Sequence, residues 1–141
     1  VRLRPLIEAV SEGALRLGAQ VKVIADPDLT ATVRPNAMKR ALSNLVMNAA
    51  AHGDRVEVAA HRGARGGLEI VVDDDGPGIP TEHYEEAFKA FARLDESRNQ
   101  NVKGVGLGLA IARDVARGHG GDIVLDRSPL GGLRAVVRLP G

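Results

Sequence analysis

The chain has 141 residues, 44% hydrophobic and 26% charged, with 19 Lys and Arg against 18 Asp and Glu. That is the make-up of one globular domain able to bury about 70% of its unfolded surface, not of a disordered segment. A net charge of +1 and only three aromatics (Tyr84, Phe88, Phe91) exclude the basic face and stacking platform of a nucleic-acid binder. Without cysteine there is no disulfide and no thiolate metal site, as in a reducing compartment. No apolar run approaches the ~18 residues that span a bilayer, and no signal peptide is visible. Val1 is not an initiator methionine, so the chain is expected to be a piece of a longer protein.

Residues 5–18 read as a helix, with Pro5 in the first turn, Leu6, Val10, Ala14 and Leu17 at helical spacing, and Gly18 past the end. Val21–Ala25 and Leu29–Val33 are strand candidates around the turn Asp26-Pro27-Asp28, in the pattern of a hairpin. Residues 35–52 form a second helix, opened by Pro35 and stopped by Gly53, with Met38, Leu42, Leu45 and Met47 for packing. On a neighbouring stripe Ala37, Ala41, Asn44, Asn48 and Ala51 follow at helical steps. Asn44 and Asn48 project from one face, roughly 5–6 Å apart at Cβ. Each costs a helix roughly 0.5 kcal/mol relative to Ala, so the pair marks either a polar seat or two solvent-facing amides.

Arg55–Ala60 and Leu68–Asp73 read as strands joined by a glycine-rich hairpin connection. In the second, Leu68, Ile70 and Val72 share one face, and the next position on that face is Asp74. A carboxylate at the end of a core-facing row is costly unless partnered. Asp73 and Asp75 point the other way and are expected in water. Gly76 and Gly78 then permit positive φ or close approach. The pattern fits a buried acid aimed at a ligand, and equally an acidic turn in which Asp74 caps a backbone amide.

Thr81 is placed to cap a short helix with Glu82, Glu85 and Glu86 in its first turns, and Phe88 and Phe91 lie one turn apart on it. Residues 93–103 carry almost no apolar side chain and read as a mobile loop. Gly104-Val105-Gly106-Leu107-Gly108-Leu109 leads into a helix ending near Gly118, where glycine-flanked amides at a positive dipole end suit an anion. Strands at Asp122–Leu125 and Leu133–Leu139, joined through Leu130-Gly131-Gly132, close the chain.

Several sites are excluded. No P-loop sequence occurs, and the Gly104 run has Leu109 where a dinucleotide fingerprint needs its third glycine. Asp73–Gly78 fails as an EF-hand because Pro77 and Tyr84 fall at ligand positions. No serine sits on a strand-to-helix elbow, and the four histidines show no metal spacing. What remains is an Asn pair, an acid before Gly-x-Gly, a diphenylalanine turn, a mobile loop with basic residues and a glycine-led helix start. An acid for an exocyclic amine, an amide oxygen for a hard cation and helix amides for phosphates together describe Mg-ATP.

In that order the motifs resemble the catalytic ATP-binding domain of sensor histidine kinases, in the gyrase–Hsp90–histidine kinase–MutL superfamily. Asn44-Leu45-Val46-Met47-Asn48-Ala49 matches the N box, Asp74-Asp75-Gly76-Pro77-Gly78-Ile79 the G1 box, and Phe88-Lys89-Ala90-Phe91 the F box. Gly104-Val105-Gly106-Leu107-Gly108-Leu109-Ala110-Ile111 matches the G2 box. The resemblance covers essentially the whole chain and is nearest the osmosensor, EnvZ-like type. It implies an α+β Bergerat fold: a two-layer sandwich of a mixed, mostly antiparallel sheet with helices on one face and a flexible ATP lid.

Carried over position by position, the resemblance implies that Asn48 coordinates Mg²⁺ and Asn44 lies beside the phosphates. Asp74 accepts from the adenine amine, with Gly76, Gly78 and Ile79 around the base. Residues 93–103 form the lid, hinged at Gly104, Gly106 and Gly108, and the amides of the Val105, Leu107 and Leu109 segment approach the phosphates. Arg98 and Lys103 are the lid cations expected near the γ-phosphate. Ala51 and His52 stand where many relatives carry a basic residue and Tyr, so His52 either stacks on adenine or merely favours the helix C-terminus. Ala90 replaces the usual F-box proline, and Val105 a common threonine.

None of the histidines lies in a His-Glu-x-x-[ST]-Pro phosphoacceptor box. The expected function is therefore donation of the γ-phosphoryl group of Mg-ATP to a histidine on a separate dimerisation domain, with a response regulator downstream. The competing readings are an anti-sigma-type serine kinase and a non-catalytic nucleotide-binding or protein-interaction module. Residues 1–141 are expected to be monomeric as a fragment, cytoplasmic, and part of a homodimeric inner-membrane sensor.

Overall fold

The computed structural model describes residues 2–16, 18–26, 28–63, 67–78, 82 and 105–140, with the side chains of His52 and residues 105–108 outside the description. Helix α1 (Leu3–Arg16) starts two residues earlier than its spacing predicts, because Leu3 as well as Ile7, Val10 and Ala14 packs inward. β1 (Gln20–Ala25) follows, then α2 (Pro35–His52), β2 (Arg55–Arg62), β3 (Leu68–Asp74), α3 (Val105–Gly118), β4 (Asp122–Arg127) and β5 (Leu133–Leu139).

The five strands lie in the order β1-β2-β3-β5-β4, with β1–β2 parallel and the other three pairings antiparallel. Alternate residues of one face, including Val56, Val58, Ile70, Val72, Ile123, Ala135 and Val137, are buried with Ile7 of α1, Met38, Leu42 and Val46 of α2, and Leu109, Ala112 and Ala116 of α3. The helices thus cover one face of the sheet, giving the two-layer α+β sandwich. Across the uncovered face, paired positions Ile24, Ala59, Val71, Val136 and Val124 form one apolar row between charged rows.

The hairpin expected between β1 and Leu29–Val33 does not form. Asp26 closes a turn by accepting the Asp28 N–H at 2.8 Å, and beyond it the only pairing among described residues is an isolated bridge between Thr30 and Arg2. Leu29, Ala31 and Val33 do turn alternately toward the core, which is the signal that mimics a strand. The segment leads to α2, and β1 takes β2 as its partner. A parallel pair needs such a crossover.

The β2–β3 hairpin follows the sequence, with Arg62 opposite Leu68. Gly53 ends α2 through its N–H to the Ala49 carbonyl, in extended rather than left-handed conformation (φ −130°). The helix cap after Thr81, the F box and the lid lie outside the described residues.

Candidate functional site

Asp74 ends β3 on the helix-covered face, in line with buried Leu68, Ile70 and Val72, and is itself 3% exposed. Its Oδ1 accepts the Gly76 N–H at 2.9 Å and the Leu133 N–H at 3.2 Å. Its carbonyl accepts the Gly132 N–H at 3.1 Å. These main-chain donors offset part of the cost of burying a carboxylate. Asp74 therefore does cap backbone amides, and it does so while buried at the end of the core row.

Gly132 is what lets β5 come so close. A Cβ there would fall on Asp74 Oδ1 and only 2.7 Å from its carbonyl oxygen and from the Gly76 nitrogen. Gly78 has φ +74° and stacks against Gly132, where a Cβ would stand 3.3 Å from its carbonyl carbon. Gly76, Gly78 and Gly132 thus leave the mouth of this acid lined by backbone.

The neighbouring acids correct the expectation that both stay in water. Asp73 is 6% exposed, covered on the open face by Arg134, whose Nε and Nη2 donate to Oδ1 and Oδ2 at 2.9 and 3.1 Å. The fork raises the Arg134 pKa above its usual value. Asp75 turns toward the start of β2, where its Oδ1 accepts the Asp54 and Arg55 N–H at 2.8 and 3.0 Å. The Arg55 amide, with the Asp54 amide, outweighs the opposing effect of burial and holds the Asp75 carboxyl below its usual range.

On α2, Asn44 is half-buried and Asn48 buried, and Asn48 stands one turn before the helix end that adjoins Asp75. The amide oxygen of Asn48 is a hard neutral donor of the kind Mg²⁺ accepts. Among the described residues no group of three or more His, Cys, Asp and Glu is placed to hold a metal. The amide oxygen of Asn48 is chemically suited to be one protein ligand of an ion that takes its other ligands from phosphate and water.

α3 begins at Val105, so Gly106 and Gly108 lie inside its first turn rather than ahead of it. The amides of Val105, Gly106, Leu107 and Gly108 have no partners within their own helix and face out along its axis. Leu109 is fully buried and its side chain belongs to the core. His52 is the last residue of α2. Ile79, Arg98, Lys103 and Gly104 lie outside the described residues.

Sequence reasoning missed three contributors: Gly132, the Leu133 amide and Asp75. The pair Gly131-Gly132 was the only sign of the first two, and it reads locally as a turn.

The chain matches the family model of histidine kinase-, DNA gyrase B- and HSP90-like ATPases over residues 33–141. It is 42% identical over 106 residues to the sensor histidine kinase CpxA of Escherichia coli K12, covering 75% of this chain and 23% of that protein. The crystal structure of the ATP-binding domain of PrrB from Mycobacterium tuberculosis superposes with a TM-score of 0.76 at 32% identity, over 100% of this chain and 95% of that one. The histidine kinase domain of the E. coli osmosensor EnvZ gives 0.71 at 30% identity, over 99% and 86%. The chain spans between 23% and 32% of the length of the curated relatives it matches.

Proposed function

This chain belongs to the family of histidine kinase-, DNA gyrase B- and HSP90-like ATPases, and on that premise we propose that it binds Mg-ATP and donates the γ-phosphoryl group to a histidine of a separate dimerisation domain. The observation that carries the reading is Asp74, a buried carboxylate fixed by backbone donors at a strand end beside the helix that carries half-buried Asn44 and buried Asn48.

In this reading the adenine amine donates to Asp74, and Gly76, Gly78 and Ile79 pass close along the base. Asn44 lies by the phosphates, the first-turn amides of α3 bind them, and Asn48 holds the metal. When bound, Mg²⁺ neutralises charge on the phosphate oxygens. Arg98 and Lys103 supply further positive charge at the γ-phosphate. An unprotonated histidine nitrogen attacks the γ-phosphorus in line, the bond to the β–γ bridging oxygen breaks, and ADP departs with that oxygen. The phosphoryl group then passes to an aspartate of a response regulator. Relatives three to four times longer supply room for the acceptor helix, and that parent is a homodimeric inner-membrane sensor with this domain in the cytoplasm. No helix among the described residues is long and apolar enough to cross a membrane.

The test is incubation with γ-labelled ATP, Mg²⁺ and the parent's separately purified dimerisation domain. Acid-labile, base-stable label on that domain, lost with Asn48→Ala, is the expected result. A chain that binds nucleotide yet transfers nothing is instead a nucleotide-binding module of the same fold, a reading that Ala51 at a usually basic position favours.

A further inference from the structure

We propose that Asp75 is a positioning residue that sets the last turn of α2, and with it Asn48, against the end of β3 that carries Asp74. The proposal deepens the nucleotide reading above and rests on it.

The two halves of the site are anchored separately. Asp74 is fixed within β3 and β5 by Gly76, Gly132 and Leu133. Asn48 rides on α2, whose inner stripe of Met38, Leu42, Leu45 and Ala49 is held by the core. Beyond Ala49 that stripe ends, and the β2–β3 ladder runs out at the Val56–Asp74 pair. The connection of Gly53, Asp54 and Arg55 therefore leaves the helix end held on the β1 side by the Gln20–Arg55 pair and on the β3 side by no ladder pair.

Asp75 supplies the hold. Its Oδ1 accepts both N–H groups, of Asp54 at 2.8 Å and of Arg55 at 3.0 Å, and its own N–H returns to the Arg55 carbonyl at 3.2 Å. Asp54 is in turn fixed to β1, its carbonyl accepting the Gln20 N–H at 2.8 Å. Gly53 supplies a second, independent observation. At φ −130° any residue is allowed, so conformation does not require glycine there. Space does, because a Cβ would lie 2.6 Å from Asp75 Oδ1 and 3.0 Å from the Gly76 nitrogen.

A Mg-nucleotide must meet both halves at once. Mg²⁺ takes ligands at about 2.0–2.1 Å in near-octahedral geometry, so a drift of roughly 1 Å in the end of α2 breaks the Asn48 contact. The same drift leaves Asp74 in place, since none of its own anchors involves Asp75. Loss of Asp75 should then reduce the gain in affinity that Mg²⁺ confers while sparing the base.

The experiment is calorimetric titration of a non-hydrolysable ATP analogue with and without Mg²⁺, on wild type, Asp75→Ala and Asp75→Asn. Asp75→Ala should stay within about threefold of wild type without metal and lose most of the Mg²⁺-dependent gain. Asp75→Asn, whose amide oxygen accepts the same two N–H groups, should recover it. A purely structural role lowers melting temperature and leaves the with-to-without ratio alone. Should Asp75→Ala not fold, Asp75→Ser, whose hydroxyl is one atom too short to grip the Asp54 and Arg55 N–H groups in the same way, replaces it with the same expectation. An unchanged ratio in the Ala variant, or an Asn variant as impaired as Ala, overturns the proposal. Wild type that binds no analogue at all overturns the nucleotide reading and this one with it.

Discussion

At the end of β3 the two faces of the sheet treat adjacent carboxylates in opposite ways. On the open face Asp73 meets a guanidinium, and the bidentate Arg134 fork neutralises it in place. On the helix-covered face Asp74 Oδ1 meets the main-chain amides of Gly76 and Leu133. An acid whose charge is consumed by a side chain is part of the framework. An acid whose oxygen is fixed by two backbone donors is held rigid by the main chain of two strand ends. The contrast separates two residues of one type, one peptide bond apart.

The strongest way to break the contrast is Gly132→Ala, which drives a methyl into the Asp74 carboxylate. The expected loss is about 3 kcal/mol of stability in denaturant titration, together with weakened nucleotide binding, since overpacking at backbone contacts is poorly relieved. A variant as stable as wild type would mean that the β5 approach is adjustable and that Asp74 is not locked by it.

Next is Asp73→Asn. It keeps the shape of the side chain, removes its charge and turns one acceptor into a donor facing Arg134, at an expected cost of about 1 kcal/mol, because the Arg134 end of the pair is partly solvated and screened. Nucleotide affinity should remain within about threefold of wild type. A large loss of affinity with unchanged stability would exchange the roles assigned to the two acids.

The smallest effect concerns Asp122, next to α3. Burial pulls its carboxyl up, but the Ile123 amide and the side chains of Arg113 and Arg117 outweigh it and hold the pKa below 3.8. A carboxyl depressed in the folded state stabilises fully above its unfolded pKa and stops doing so as pH falls through the lower, folded value. Asp122→Asn should therefore cost stability near neutral pH and flatten the decline of the denaturant midpoint below about pH 4. Parallel curves for the variant and wild type would show that the Arg113 and Arg117 contacts carry no net stabilisation.

Much of this was legible locally. Pro35 marked the start of α2, and the spacing of Leu68, Ile70 and Val72 placed Asp74 on the buried side because strand alternation is a local rule. The burial of Asp73 was not legible, since its partner lies 61 residues away on a strand whose register no local pattern gives. The same holds for Gly132 and for the grip of Asp75 on Asp54 and Arg55, each created by two chain segments meeting. Leu29–Val33 misled for the opposite reason: its alternation is real, but burial on one side does not supply a ladder partner.

The most direct measurement of the central claim is calorimetric titration of a non-hydrolysable ATP analogue into wild type and Asp74→Asn. Asn keeps an oxygen for the Gly76 and Leu133 amides but offers a donor where the adenine amine needs an acceptor. The expectation is an unchanged fold by thermal melting and a loss of affinity of about 10–100-fold, the worth of one charged hydrogen bond. Equal affinity in the two proteins would contradict the assignment of Asp74 as the acid that meets the base.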